Sequence, residues 1–231
     1  MTGTDIRVSG GGGPAAVQDP YGLLTTPAGW EWGDEFDDGV IDAAWVQVAP
    51  SAGSVTWAEG NHRLGALVTA VPDVGAGAII RPIGTAWGTA GEIVETQLMS
   101  GPRTGLIRCG FLVADGAVAG SNSVGVLMDS VSDVRASFVV RGTVASPYAT
   151  AFTALGLGGT GDQMRCRIVA KTADLIAFQF SYDGVSWQEA ATTFSITTLG
   201  WTPTHVGFSF CCQSNGENWG GTADYVRRFG P

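Results

Sequence analysis

Residues 175–187 read LIAFQFSYDGVSW, in which two strand-like runs flank the pair Asp183-Gly184. Phe178 and Phe180 alternate with polar neighbours, and this period of two places aromatic rings on one face of a strand and polar groups on the other. A primed turn needs positive φ angles, which Gly accepts freely and Asp tolerates, so Asp-Gly between two such runs predicts a β-hairpin. The apolar face of this hairpin requires a second sheet to cover it.

Similar strand-like runs recur from residue 30 to the end of the chain, at spacings of about 8 to 12 residues, which is typical of a β-sandwich or barrel. The 35 glycines indicate many turns, and apolar stripes with helical spacing are scarce. We therefore predict an all-β domain over residues 30–231. Strands are expected at residues 54–57, 62–68, 76–83, 92–99, 106–115, 123–130, 134–142, 163–170, 204–212 and 223–230, and the last of these is expected to lie near the acidic opening at residues 34–45.

The first 29 residues differ from the rest of the chain. They contain Gly10, Gly11, Gly12, Gly13 and Pro14 in succession, with two further prolines and little apolar material for a core. Such a segment is flexible in isolation. We predict an extended arm that another chain or its own domain holds in place.

Charge and cysteine content exclude several classes of function. The net charge of −9 disfavours nucleic-acid binding, and the sequence shows neither a signal peptide nor a membrane span. No two cysteines have CxxC spacing. Buried free thiols are expected, and a disulfide between neighbouring strands remains open. The cysteines are Cys109, Cys166, Cys211 and Cys212.

Five segments, in this order, resemble the concanavalin A-like lectin and glucanase superfamily, and its laminin-G-like branch in particular. They are DEFDDGVIDAAW (34–45), GEIVETQLM (91–99), FQFSYDGVSWQEA (178–190), THVGFSF (204–210) and ADYVRRF (223–229). The resemblance implies an antiparallel jelly-roll sandwich of two curved sheets. In this superfamily the concave sheet often binds glycans, and some members hydrolyse them.

Carboxylates that could catalyse hydrolysis are poorly placed. Glucanases of the superfamily carry two catalytic Glu on one strand, and a retaining glycosidase needs its carboxyl groups about 5 to 5.5 Å apart. Here Glu92 and Glu95 are three residues apart, so they are expected to project to opposite faces. The cluster of Asp34, Asp37 and Asp38 could bind calcium, but a solvated turn explains it better.

Other catalytic and cofactor motifs are missing as well. His62 and His205 lie in strand-like runs without a GxSxG motif, so packed or surface histidines are expected. The stretch GLGGTG at 156–161 is followed by a strand and not by a helix, so we interpret it as a glycine-rich loop. Because no zinc pattern is present either, we predict neither catalytic residues nor a cofactor.

Aromatic residues remain as candidates for ligand binding, because ring faces stack on the apolar faces of sugars. The first candidate is the loop at 213–221, where Trp219 lies among Asn215, Glu217 and Asn218. Trp87 is the second candidate. For both tryptophans, packing at the sandwich rim is the competing interpretation. Trp45, Trp57 and Trp187 are expected in the core.

Together these features predict a non-enzymatic structural component of a bacteriophage particle, such as a tail, tail-tip or decoration protein. The prediction rests on analogy with phage sandwiches anchored by an arm. The expected partners are other virion proteins or further copies of the chain, as a trimer, and a cell-surface glycan. The expected location is the virion, after synthesis in the host cytoplasm. A stand-alone carbohydrate-binding module is the alternative, and a glycoside hydrolase is a third.

Overall fold

The structure is a computed structural model that describes residues 30–48, 54–69, 77–84, 87–100, 107–131, 134–157, 163–212 and 221–231. In these residues the chain is nearly all β, and two curved antiparallel sheets pack as a sandwich, as predicted. No helix among them has the length and hydropathy that crossing a membrane requires. The arm predicted at residues 1–29 lies outside the described residues, with Gly10, Gly11, Gly12, Gly13 and Pro14.

The described strands, in chain order, are β1 (Trp30–Asp34), β2 (Val46–Val48), β3 (Ser54–Glu59), β4 (Leu64–Thr69), β5 (Gly77–Pro82), β6 (Ile93–Ser100), β7 (Ile107–Ala114), β8 (Asn122–Val131), β9 (Val134–Thr143), β10 (Ser146–Leu157), β11 (Gln163–Ala170), β12 (Leu175–Ser181), β13 (Gln188–Glu189), β14 (Phe194–Ser195), β15 (His205–Cys212) and β16 (Gly221–Phe229). A helix, α1 (Ile196–Leu199), follows β14. One sheet has nine strands in the order β13-β12-β11-β6-β16-β4-β3, with β1 paired to β16 and β14 to β12. The other has seven, in the order β10-β9-β8-β7-β15-β5-β2.

The hairpin around Asp183-Gly184 is confirmed, but its turn is longer than the predicted two-residue connection. Phe180 pairs with Gln188, so the chain reverses over residues 182–187. Only Gly184 of the pair has a positive φ, at 73°. The Asp183 carboxylate instead accepts hydrogen bonds from the backbone N–H groups of Val185 and Ser186, at 2.8 and 2.7 Å. A side chain that caps the turn in this way removes the need for a primed geometry.

The beginning and the end of the domain meet, as predicted. β1 pairs antiparallel with β16, with Trp30 opposite Phe229 and Asp34 opposite Val226. The last strand does not cover a sheet edge, as jelly-roll closing strands commonly do. It lies inside the nine-stranded sheet, between β6 on one side and β1 and β4 on the other.

Aromatic rings form the centre of the core between the sheets. Phe208 lies with its ring centroid 5.8 Å from that of Trp45 and 5.6 Å from that of Phe111. Trp57 packs against Phe210 at 5.3 Å. Trp45 and Trp57 are each 6% exposed, so their predicted core positions are confirmed.

β10, the longest of the described strands at 12 residues, was not predicted, because SPYATAFTALGL mixes Pro, Gly, Ala and Thr without a clear period of two. Cys109 and Cys166 are buried free thiols, as expected. Burial raises the pKa of Cys166, so this thiol stays protonated. The side chains of Cys211 and Cys212 lie outside the described residues.

Candidate functional site

Successive side chains of strand β11 point to opposite faces of the nine-stranded sheet. Met164, Cys166 and Ile168 are fully buried in the core between the sheets. Arg165 and Arg167 alternate with them and therefore project to the opposite, outer face. We call this outer face of β6, β11, β12, β13 and β16 the polar face.

A row of polar and charged residues crosses the polar face from strand to strand. Its members are direct cross-strand neighbours in the order Glu189, Gln179, Arg167, Glu95, Arg227. The signs of the charges alternate along the row, and opposite charges facing each other across strands stabilise a sheet. The row extends beyond the strands, because Glu35 binds the Arg227 guanidinium through two hydrogen bonds of 2.8 and 2.6 Å.

Glu95 lies at the centre of this row and is only 3% exposed. Its Oε2 accepts a hydrogen bond from Arg167 Nε at 2.5 Å, and its Oε1 accepts one from the Tyr225 hydroxyl at 2.7 Å. Burial and the neighbouring Glu95 carboxylate raise the pKa of Tyr225 well above its ordinary value, so the phenol stays protonated and donates. Each oxygen of the carboxylate therefore accepts a hydrogen bond from a protein donor.

A second row lies beside the first, toward the end of the sheet where β6 ends and β11 begins. Arg165 is opposite Gln97 on β6 and Ser181 on β12. Arg165 Nε donates to Gln97 Oε1 at 3.0 Å, and Gln97 Nε2 donates to Gln163 Oε1 at 3.1 Å. Gln163 and Arg165 are exposed or partly exposed at the outside of the sandwich, whereas Gln97 is 9% exposed and supports both of them.

The turn at residues 182–187 lies against the polar face and brings an aromatic ring to it. The Arg167 guanidinium lies 3.7 Å from the ring centroid of Trp187, a cation–π contact. A Cβ on Gly184 would lie 2.4 Å from Nη1 of Arg165, so the turn contacts that side chain closely. The same turn exposes Val185, at 83%, and Tyr182, at 38%.

Trp187 was expected in the core, and this prediction is wrong. The ring is partly exposed on the polar face, because the long turn carries residue 187 past the strand and onto the outer surface. The polar residues of β11, by contrast, could have been predicted from the sequence. The segment QMRCRIVA alternates between apolar residues and Gln163, Arg165 and Arg167, which predicts one polar face for β11.

The predicted glycan-binding residues are only partly covered by the structure. Trp219, Asn215, Glu217 and Asn218 lie outside the described residues, and the flanking residues belong to β15 and β16. Gly221, where the chain is described again, pairs with Ser100 at the end of β6 nearest the second row of the polar face.

Trp87 is described, and it is buried at 3% exposure within the core cluster. Its indole Nε1 is buried without a hydrogen-bond partner. The side chain therefore packs as a core residue, which agrees with the competing interpretation of rim packing. It does not present an exposed ring face for a sugar.

The carboxylates of Glu92 and Glu95 point to opposite sides of the sheet, as their spacing predicts. Glu92 is 3% exposed and faces the sandwich interior, where its Oε1 is 2.8 Å from Nη2 of Arg228. Its Oε2 accepts hydrogen bonds from the backbone N–H groups of Gly88 and Thr89, at 2.8 and 3.2 Å. The two glutamates do not share a cleft.

The acidic turn around Asp34 uses its carboxylates to order the backbone. Asp34 accepts hydrogen bonds from the backbone N–H of Phe36 at 3.0 Å and from Trp45 Nε1 at 2.7 Å, and Asp38 accepts one from the N–H of Val40 at 2.9 Å. Within the described residues, no group of three or more His, Cys, Asp or Glu is placed to hold a metal ion.

Glu59 belongs to the same acidic region. Burial, a hydrogen bond with Asp38 and the charge of Asp34 raise the pKa of Glu59 from 4.5 to about 7. The protonated carboxyl group is thus the form that the folded state favours at mildly acidic pH.

Neither histidine forms a catalytic arrangement with the described residues. His62 is exposed, and His205 is partly exposed with its Nδ1 2.8 Å from the hydroxyl oxygen of Thr204. Most of the GLGGTG stretch, residues 158–161, lies outside the described residues. Its first two residues, Gly156 and Leu157, end strand β10.

Comparisons with known proteins show a similarity of fold alone. No protein-family model matches the chain, and no curated protein matches its sequence. Among solved structures, a GH43 protein, BlXynB from Bacillus licheniformis (K247S mutant), superposes with a TM-score of 0.60 at 16% identity, over 86% of this chain and 39% of that protein. The CBM2 module of the evolved Dit of Lactobacillus casei BL23 phage J-1 superposes with a TM-score of 0.58 at 12% identity, over 87% of this chain and 94% of that module.

A β-1,3-glucanase from Mycobacterium marinum also superposes, with a TM-score of 0.54 at 15% identity, over 88% of this chain and all of that protein. The chain thus spans less than half of the GH43 protein, but nearly all or all of the other two. At these identities the similarity establishes the fold alone. The described sandwich is an all-β fold that carbohydrate-cleaving enzymes and a phage module both use.

Proposed function

We propose that this chain is a non-enzymatic glycan-binding protein and that the polar face is its binding surface. The observation that carries the proposal is the contact of Trp187 with Arg167 on that face. An aromatic ring held beside hydrogen-bonding side chains is the combination that sugar recognition uses, because sugars have apolar ring faces and polar rims.

The polar groups around Trp187 suit an extended saccharide. Gln163 and Gln179 carry amide groups on the adjacent strands β11 and β12, while Gln97 on β6 is 9% exposed and holds Arg165 and Gln163 through its own amide. Neighbouring strands lie about 4.8 Å apart, so side chains on successive strands can contact successive groups of one bound chain. Because these residues stand on strands and not on loops, their positions are fixed before a ligand arrives.

The same face is poorly suited to glycoside hydrolysis. Glu95 is enclosed by Arg167 and Tyr225 and is 3% exposed, so almost none of its carboxylate is open to a substrate. Glu189, in the same row, is three strand spacings away, or about 14 Å. Glycosidases need two carboxyl groups about 5 to 9.5 Å apart.

The second part of the proposal is that the chain belongs to a bacteriophage particle. The similarity to a phage Dit module over 87% of the chain supports this context. The Gly- and Pro-rich composition of residues 1–29 suits an anchoring arm that binds other virion proteins or further copies of the chain. A stand-alone carbohydrate-binding module is the alternative that the same sandwich would serve.

The glycan-binding part is tested with Trp187→Ala on a glycan array, followed by calorimetry with the glycans that bind. We expect the substitution to weaken binding about tenfold, which corresponds to about 1.4 kcal/mol of binding free energy. Val118→Ala is the matched control, because Val118 is an exposed apolar residue in the loop after β7, which belongs to the other sheet. Equal losses in the two variants, or no binding of any glycan by the wild-type chain, would refute the proposal.

The assembly part is tested by light scattering on the full chain and on a chain that begins at residue 30. We expect a trimer for the full chain and a monomer for the shorter one, with glycan binding retained per chain. A monomer in both cases would favour the stand-alone binding module. A trimer in both cases would show that the sandwich, and not the arm, holds the copies together.

A further inference from the structure

The charges of the polar face are almost completely paired. Asp224 of β16 pairs with Arg63, whose Nε lies 3.8 Å from its Oδ1. Three further ion pairs engage three carboxylates and three of the four cations of this face. They are Arg167–Glu95 (2.5 Å), Arg227–Glu35 (2.6 Å) and Lys171–Glu189 (2.7 Å). The remaining cation is Arg165, and no described carboxylate forms an ion pair with it.

Two contacts within the protein fix the side chain of Arg165. Its Nε donates to Gln97, which Gln163 fixes in turn, and the Gly184 turn packs against Nη1. A guanidinium group has five N–H donors, and the Gln97 contact uses the one on Nε. The donors of the terminal nitrogens stay available on a partly exposed side chain, in the planar fork that matches a carboxylate or a phosphate.

The positive charge of Arg165 contrasts with the net negative charge of the chain. The whole chain has a net charge of −9, which repels acidic polymers at long range. The Arg165 guanidinium lies beside the amides of Gln97 and Gln163 and forms no ion pair with a described carboxylate. The carboxylate of Asp183, in the adjoining turn, instead accepts hydrogen bonds from the N–H groups of Val185 and Ser186. A charge that has no partner within the protein adds nothing to an ion-pair network, but it can select a ligand.

We propose, on the basis of the glycan-binding function above, that the polar face selects acidic glycans and that Arg165 binds their anionic group. The anionic group is a carboxylate, as in a uronic or sialic acid, or a phosphate attached to the saccharide. The sugar rings contact Trp187, while the anion lies on the second row of the polar face, against Arg165. Arg165 is therefore the residue that determines charge specificity, and Trp187 determines affinity for saccharides in general.

The test is a glycan array that holds matched pairs of acidic and neutral ligands. The pairs are uronate oligosaccharides with their methyl esters, sialylated glycans with their asialo forms, and phosphorylated glycans with their dephosphorylated forms. The full-length wild-type chain is compared with Arg165→Gln, Arg165→Lys and the control Arg141→Gln. Arg141 is an exposed arginine of β9, in the other sheet, so its loss changes the net charge equally without touching the polar face.

We expect the wild-type chain to prefer the acidic member of at least one kind of pair, and that pair identifies the anion as carboxylate or phosphate. Arg165→Gln should lower the affinity for the acidic ligand at least tenfold and leave the neutral ligand within twofold. Arg165→Lys should retain part of the preference, because the charge remains but the planar fork is lost. Arg141→Gln should match the wild type, and thermal melting of every variant shows whether it is folded.

Two results overturn the inference, and they differ in what they mean for the proposed function. Binding that requires Trp187 but does not distinguish the two members of any pair leaves glycan binding intact and removes the role of Arg165. The same holds if a folded Arg165→Gln variant keeps the wild-type preference. No binding to any glycan on the array overturns both the inference and the proposed function.

Discussion

Replacing Glu95 by Gln tests whether this carboxylate is a structural group or a reactive one. The side chain keeps its shape but loses its charge and one of its two acceptor oxygens. Hydrogen bonds to charged groups contribute about 1.5 to 3 kcal/mol each. Arg167, whose side chain is 22% exposed, can turn to water, but Tyr225 is 3% exposed and has no such alternative. We therefore expect Glu95→Gln to lower the free energy of unfolding by about 2 to 3 kcal/mol.

The assay is urea denaturation followed by tryptophan fluorescence. Glu189→Gln is the matched control, because Glu189 lies in the same row and its side chain is 37% exposed. An exposed ion pair contributes little, so we expect the control to change stability by less than about 0.5 kcal/mol. A Glu95→Gln variant that is as stable as the control would refute the structural role. If that variant also lost a hydrolytic activity of the wild type, Glu95 would be catalytic.

Three further predictions concern stability. Arg228→Met should lower the free energy of unfolding, measured by urea denaturation, by about 3 to 5 kcal/mol, because Glu92 then keeps a buried charge without its partner. Adding Glu92→Gln to this variant should restore much of the lost stability. Burial raises the pKa of Glu59 to about 7, so the protonated Glu59 carboxyl group contributes stability that is fully present below pH 4.5 and is lost as the pH rises through 7. The free energy of unfolding of the wild type should therefore fall from pH 5 to pH 8 by more than that of Glu59→Gln. Equal falls in the two proteins would contradict this assignment. Gly207→Ala should destabilise the seven-stranded sheet by about 3 kcal/mol, since the new Cβ would lie 2.2 Å from the carbonyl oxygen of Ile79, and a folded variant of wild-type stability would show that the strands separate easily.

The parts of the fold that could be predicted from the sequence are those with strict alternation. β11 alternates between buried and more exposed residues over most of its length, and Phe178 and Phe180 of β12 are buried with the partly exposed Gln179 between them; both strands were predicted from this period. β10, which ends the strand order of the seven-stranded sheet, was missed because its run of Ala, Thr and Gly has no strong apolar pattern. The pairing of β1 with β16 was predicted only in outline, because a contact between segments about 190 residues apart leaves no local signal of register.

The candidate site was harder to predict because it depends on one turn. The pair Asp183-Gly184 predicts a short connection, which would have placed Trp187 within a strand. Backbone hydrogen bonds to the Asp183 carboxylate stabilise a longer turn instead, and this moves Trp187 onto the polar face beside Arg167. The competition between a primed turn and a side-chain cap is decided by contacts that sequence spacing does not show.

The fold alone does not distinguish a hydrolase from a binding protein. The same sandwich superposes on a glucanase and on a phage module, so the difference must lie in the side chains of the face. On the polar face the central carboxylate is enclosed by protein donors, and an aromatic ring and amides surround it. This arrangement supports the proposed binding function. Trp219→Ala distinguishes the polar face from residues 213–220, since only a binding site in those residues would lose affinity through this substitution.

The most direct test of the account is nuclear magnetic resonance of the full chain during titration with a glycan selected on the array. The signals to follow are the indole N–H groups of Trp187 and Trp219 and the side-chain Nε–H groups of Arg165 and Arg167. We predict that the signals of Trp187, Arg165 and Arg167 shift together and saturate at the ligand concentration that calorimetry gives. Shifts confined to Trp219, or to residues of the seven-stranded sheet, would contradict the assignment of the polar face as the binding surface.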